Sequence, residues 1–116
     1  MARELNEPCP LHVFAFDDDE NVIGGLLGWT QFLWLRVDIL SVQLEFRGAG
    51  IGRVLMERAE SEARGRECCH AFVETMDYQA PDFYVKCGYE VAGRLENWDS
   101  HGHAKFFLIK HLSNSS

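Results

Sequence analysis

Between Phe46 and Arg53 the chain runs F-R-G-A-G-I-G-R, three alternate glycines set between an apolar run and a segment with strong helical periodicity. Glycine takes positive φ and lets another molecule approach the main chain closely, so glycines spaced this way at a strand-to-helix turn aim backbone N–H groups at a ligand. The first amides of the following helix have no internal acceptors and carry the positive end of its dipole, which suits a phosphate or pyrophosphate. Two other phosphate loops fail on spacing. A dinucleotide fingerprint needs G-x-G-x-x-G, whereas Gly48, Gly50 and Gly52 give G-x-G-x-G, and no Lys-Ser/Thr pair follows as in a P-loop. The competing explanation is a tight turn with no ligand.

With 116 residues, 47% of them hydrophobic and 25% charged, residues 1–116 suit one small globular domain with a single core. The net charge of −7 argues against a nucleic-acid partner and favours a cationic, amine-bearing one. No apolar run nears the roughly 18 residues of a membrane span, and residues 1–8 carry no apolar leader core, so no membrane association and a cytoplasmic location are expected. Cysteines 9, 68, 69 and 87 lack C-x-x-C spacing and are expected as buried or free thiols. His101 and His103 stand in a Gly-containing turn without a Cys or carboxylate cluster, so they are expected to be solvated, and no metal is assigned.

Along the chain, Leu11 to Phe16 and Val22 to Thr30 form a hairpin across the acidic turn 17–21, with Gly24, Gly25 and Gly28 marking a bulge, a close backbone contact or simple twist. Trp29, Phe32 and Trp34 lie around the next turn and are expected in the core rather than on a cleft wall. Period-two alternation over Leu33 to Val42 predicts a dry face of Leu33, Leu35, Val37 and Ile39 and a mixed face of Trp34, Arg36, Asp38, Leu40 and Val42. Arg36 and Asp38 are equally a solvent-facing pair or, if that face lines a cleft, a carboxylate on a rigid strand near the glycine loop. The helix after the loop buries Ile51, Val54, Leu55, Ala59 and Ala63, turns Arg53, Glu57, Glu60 and Arg64 outward and ends at Gly65. A strand over His70 to Met76 carries Glu74 in an apolar stretch. A short helix over Ala80 to Cys87 and strands over Tyr89 to Leu95 and Ala104 to Leu112 complete an α/β fold with a mixed sheet.

Arg47, Gly50 and Gly52 match R-x-x-G-x-G, and F-Y-V-K-C-G-Y at Phe83 to Tyr89 places a tyrosine and then a Gly-aromatic pair on the short second helix, with Ala80 four residues before Tyr84. Together with the endings E-V-A-G-R-L and G-H-A-K-F-F-L-I-K-H-L, these resemble the GCN5-related N-acetyltransferases over roughly Leu11 to Leu112. The resemblance implies an acyl-CoA N-acyltransferase fold with a mixed, mostly antiparallel sheet flanked by helices. Such proteins usually begin with a strand and two helices that wall the acceptor site. Here about ten residues precede the first strand, which implies a shortened N-terminus and a homodimer that covers exposed sheet.

The same resemblance implies acetyl-CoA as co-substrate. Leu40, Ser41 and Val42 would splay from the neighbouring strand and meet the pantetheine arm, and Arg47, Gly48, Ala49, Gly50, Ile51, Gly52 and Arg53 would hold the pyrophosphate. A neutral amine of a small molecule or peptide would attack the thioester directly, with Asp38 or Glu74 as base, the Val42 N–H as oxyanion donor and Tyr84 as acid. Cys87 near Tyr84 suggests a covalent acyl carrier, but no histidine on its helix is spaced to activate it, so a packing role is expected. Two other functions stay open, a CoA-binding sensor that lost acceptor chemistry and a structural dimer subunit.

Overall fold

The computed structural model describes residues 7–112, which form β1 Cys9–Phe16, β2 Val22–Gln31, β3 Trp34–Val42, α1 Ile51–Gly65, β4 His70–Met76, α2 Pro81–Lys86, β5 Glu90–Leu95 and β6 Lys105–His111. The strands join one sheet in the order β1-β2-β3-β4-β6-β5, antiparallel except for the β3–β4 pair. The expected mixed, mostly antiparallel sheet is therefore observed. Among the described residues no helix is long and apolar enough to cross a membrane.

Local chemistry sets the two hairpins. Asp17 Oδ1 accepts the N–H groups of Asp19 and Asn21, both at 2.9 Å, so the acidic run is a side-chain-braced turn. Phe32 and Leu33 make the second turn with φ of 54° and 68°, the left-handed pair that a two-residue hairpin of the right twist demands. Leu33 thus belongs to the turn and not to the strand. Trp29, Phe32 and Trp34, expected in the core, are 39%, 60% and 36% exposed. Trp29 and Trp34 fall on the sheet face opposite the helices, where alternation puts every second side chain.

The dry face carries Leu11, Leu26, Leu35, Val37, Ala71, Val73 and Leu108, which pack against Leu55, Met56, Ala59 and Ala63 of α1 and against Tyr84 of α2. In β3 the expected alternation holds only to Val37. The β2–β3 register moves from Val37 opposite Gly28 to Ile39 opposite Leu27, leaving Asp38 as the extra residue of a bulge. A one-residue insertion exchanges the faces. Ile39 is consequently exposed, while Leu40 and Val42, assigned by periodicity to the mixed face, pack on the core. Gly28 permits the bulge, since a Cβ there would lie 2.4 Å from the Arg36 carbonyl oxygen.

Helix α1 also departs from its expected faces. Val54 is exposed and Met56 buried, and Glu60, expected outside, is 3% exposed. Its carboxylate accepts from the Tyr89 hydroxyl and from Lys110 Nζ, both at 2.8 Å, and Lys110 also donates to the Cys87 carbonyl at 2.8 Å. Burial first, then the Glu60 charge and hydrogen bond, push the Tyr89 hydroxyl pKa up, which keeps it a donor. At the other end, the left-handed residue is Glu67 (φ 70°) rather than Gly65. The N–H groups of Glu67 and Cys68 donate to the Arg64 and Ala63 carbonyls and close the helix.

Removing one partner of a buried ion pair strands the other. Glu60→Ala is expected to lower the unfolding free energy by roughly 3 kcal/mol, read from urea denaturation, because it takes the acceptor from the Tyr89 hydroxyl and the counter-charge from the Lys110 ammonium together. A loss under about 0.5 kcal/mol would mean that the pair contributes nothing net.

Candidate active site

The parallel β3–β4 ladder runs from Trp34 opposite His70 to Val37 opposite Val73 and stops there, although both strands continue. The two strands part, and the gap widens into a cleft of about 730 Å³ walled by β3, the glycine loop, the end of β4 and α2. On the β2 side of β3, Gln43 N–H donates to the Ile23 carbonyl at 2.8 Å. Antiparallel ladders alternate bonded and non-bonded pairs, so the next pair, Gly24–Val42, exchanges no hydrogen bonds, and neither does Leu26–Leu40. The main-chain groups of Val42 and Leu40 therefore point into the cleft. Those of Ser41 turn to Gly25, while Ser41 itself still lines the cleft.

The floor is the start of α1. Gly50, its N-cap, has φ of 84° and Gly48 has φ of 87°, and a Cβ on either would meet nothing within 4 Å. The first intrahelical bond is Val54 N–H to the Gly50 carbonyl, so the N–H groups of Ile51, Gly52 and Arg53 lie ahead of it. No side chain caps this end, and its first turn holds no acidic residue. Open space, positive-φ glycines and uncapped amides at a helix N-terminus make a seat for a phosphate-sized anion. Gly52 serves differently. A Cβ there would press on the Phe83 ring at 3.2 Å, so its absence lets α1 and α2 approach.

Arg47 Nε donates to the Val42 carbonyl at 3.0 Å and ties the loop to the free edge of β3. Arg53 and Ala49 do not line the cleft. The Arg53 side chain lies along α1 against Glu57 at 3.3 Å, because the i,i+4 carboxylate is nearer than the loop, and only its main-chain N–H faces the anion seat. Ala49 is exposed in the loop.

Asp38, Glu74 and Tyr84, which come from three elements, line this one cleft. Asp38 accepts from Trp29 Nε1 at 2.6 Å and from Arg36 Nε at 2.9 Å. Glu74 pairs with Lys105 at 2.6 Å and with Arg36 at 3.7 Å, so the arginine bridges the two carboxylates. Tyr84 is 9% exposed, and burial, with Cys87 adding, raises its hydroxyl pKa above the usual phenol value. It thus holds its proton at neutral pH, with no hydrogen bond to another described side chain. Burial likewise raises the Cys87 thiol, followed by a counteracting Arg53 charge, and leaves it a poor nucleophile.

Sequence reasoning missed Gln79, whose Oε1 accepts the Met76 N–H at 2.7 Å and the Thr75 hydroxyl at 3.3 Å and so fastens the end of β4. It also missed Lys105, whose nearness to Glu74 depends on the β4–β6 register. His103 Nδ1 lies 2.6 Å from Asp99 Oδ2, so this histidine, still part-exposed, also has a carboxylate partner. Among the described residues no three or more His, Cys, Asp or Glu are grouped as a metal site would need.

A family model described as an acetyltransferase (GNAT) domain matches residues 10–91. The blasticidin-S acetyltransferase of Streptomyces morookaense is 40% identical over 110 residues, covering 91% of this chain and 80% of its own. A peptidyl-lysine N-acetyltransferase, YjaB of Salmonella typhimurium, is 36% identical over 83% of this chain and 61% of its own, so the chain spans less than two thirds of that protein. The crystal structure of an acetyltransferase from Bacillus cereus superimposes with a TM-score of 0.87 at 27% identity, over 97% of this chain and 80% of that one.

A bulky negative charge on the anion seat should stop a pyrophosphate from binding. Gly50→Glu is expected to abolish CoA binding in calorimetry while the fold persists, since its side chain meets open space and the left-handed backbone costs only about 1 kcal/mol. Unchanged affinity in the folded variant would place the pyrophosphate elsewhere.

Proposed function

Starting from a chain that belongs to the GNAT acetyltransferase family and uses acetyl-CoA as co-substrate, we propose that it acetylates a primary amine of a small cationic molecule by direct attack within a ternary complex. The observation that carries this reading is the parting of β3 from β4 beside an uncapped helix N-terminus. That arrangement offers an extended main-chain edge and an anion seat to one ligand with a long neutral arm and a pyrophosphate.

In this reading the main chain of Leu40 and Val42 binds the arm, and the loop from Gly48 with the first amides of α1 binds the pyrophosphate. The Val42 N–H stabilises the negative charge that develops on the carbonyl oxygen. Asp38 or Glu74, directly or through water, takes a proton from the acceptor ammonium to give the neutral amine that attacks, and the Tyr84 hydroxyl donates to the departing thiolate. The poor nucleophilicity of Cys87 supports direct transfer over a cysteine-bound acetyl group. The relative that acetylates blasticidin-S and the net charge of −7 support a small cationic acceptor. The YjaB relative makes a peptidyl lysine the competing acceptor. The free thiols of Cys9, Cys69 and Cys87 support a reducing, cytoplasmic setting, and the exposed Phe14, Trp29, Trp34 and Ile109 support a homodimer that covers the outer sheet face.

The test is acetyl-CoA turnover with blasticidin-S, aminoglycosides, polyamines and lysine peptides. Acetylation of one of the small amines is the expected result. CoA binding without turnover of any amine would favour a sensor, and neither binding nor turnover would favour a structural subunit.

Three variants probe the chemistry. Tyr84→Phe is expected to keep CoA affinity within a few-fold while turnover falls by roughly 10² to 10⁴, and full turnover would make the tyrosine structural. Replacing the true base, by Asp38→Asn or Glu74→Gln, should slow the reaction most near neutral pH and least at high pH, where the acceptor is already a free amine. If both variants stay active across the pH profile, water removes the proton and the enzyme works mainly by holding its substrates together.

A further inference from the structure

Glu74 is already occupied by a cation. Lys105 Nζ stands 2.6 Å from its carboxylate and 4.3 Å from the centre of the Trp98 ring. A carboxylate on one side and an aromatic face on the other is a general way to hold an alkylammonium. These side chains line a second pocket of about 270 Å³, which shares Asp38, Glu74, Thr75 and Gln79 with the main cleft. Trp98 is held there by its loop. Its N–H donates to the His103 carbonyl at 2.8 Å, and the side chains of Asn97 and Asp99 accept from the N–H groups of Gly102 at 2.7 Å and His101 at 2.9 Å. Yet Trp98 remains 53% exposed, a large aromatic residue kept open beside a carboxylate.

We infer that this pocket receives the amine end of the acceptor, an alkylammonium, and that Lys105 fills it as an internal stand-in which the acceptor must displace from Glu74 and Trp98. The inference rests on the acetyl-transfer reading above and names the place and chemistry of its second substrate. Charge supports it. Asp38 and Glu74 oppose Arg36 and Lys105, so moving Lys105 out leaves one net negative charge, which one ammonium matches. Lys105 is the first residue of β6, on a flexible four-carbon stem that can carry its head into water. Its departure also opens the Glu74 carboxylate to the acceptor.

Competition by an internal cation lowers apparent affinity by the fraction of time the site is free, so a pocket filled about nine-tenths of the time binds ~10-fold more weakly than it would empty. Calorimetric titration of 1,4-diaminobutane into the whole chain tests this without requiring turnover. Lys105→Met, which keeps the stem and loses the charge, should bind the diamine ~10-fold more tightly than the parent, while Lys105→Arg, which keeps a cation in place, stays within about two-fold. Adding Trp98→Ala to Lys105→Met should weaken the diamine by roughly 3- to 30-fold, with Trp98→Phe recovering most of it. CoA affinity is expected to be the same in all of them. In steady state, the KM for an acetylated amine should fall in Lys105→Met, with the KM for acetyl-CoA unmoved.

Diamine binding that does not tighten in Lys105→Met, or that ignores Trp98, overturns the inference even if amines are acetylated. Tighter diamine binding with no amine acetylated leaves the pocket an amine site and overturns the transfer reading instead.

Discussion

The structure turns on the point where β3 loses its partner. Up to Val37 the strand is paired on both sides, and from Asp38 onward its cleft-side N–H and C=O groups face no neighbouring strand. Backbone polar groups left unpaired inside a protein are costly, so a strand edge of this kind persists where water or a ligand can reach it. The bulge at Asp38 coincides with the end of the ladder. By flipping the faces it sends Leu40 and Val42 inward to anchor the free segment on the core while their main chains face the gap. Gly28, where any Cβ would run into the Arg36 carbonyl oxygen, is thus a condition for the cleft although it does not line it.

The two helices must also be held at a fixed separation, since one supplies the anion seat and the other Tyr84. Apolar packing between Gly52 and Phe83 brings them together. The polar link is Lys110, which reaches from β6 to Glu60 on α1 and to the Cys87 carbonyl at the end of α2. Burying Glu60 costs desolvation that its partners only partly offset. The return is orientation: the ion pair and the Tyr89 hydrogen bond tie the helices together with every buried side-chain N or O atom among the described residues satisfied.

Much of this was legible in the chain. Element order, the glycine seat and the identities of Asp38, Glu74 and Tyr84 follow from alternation, spacing and resemblance, and the structure brings those three side chains to one cleft. What escaped has a common cause. The bulge, the inward turn of Glu60 and the Lys105–Glu74 pair depend on which residues stand opposite each other in the sheet, and a single sequence carries no register information between strands distant in the chain. Glu60 illustrates the point. Its i,i+4 spacing to Arg64 is a sound local pairing, but Lys110, fifty residues away in sequence, offers a desolvated partner that local spacing cannot show.

Proton affinities bear on how the proposed reaction divides its work. A thiolate leaving group of ordinary thiol pKa, about 8.5, is a weaker base than a phenolate, and burial raises the Tyr84 hydroxyl further from it. Full transfer of the Tyr84 proton to the thiolate is therefore uphill, and the hydroxyl contributes chiefly as a hydrogen-bond donor to negative charge as it builds on sulfur. Its lack of a described hydrogen-bond partner fits that role, since a hydroxyl already committed to a carbonyl would have to break one bond to make the other. The base side is arranged in the opposite way. Asp38 and Glu74 are both engaged by Arg36, and Glu74 by Lys105 as well. If arrival of the acceptor ammonium is what expels Lys105, the substrate that needs a base also clears the resident cation from the carboxylate and takes its place.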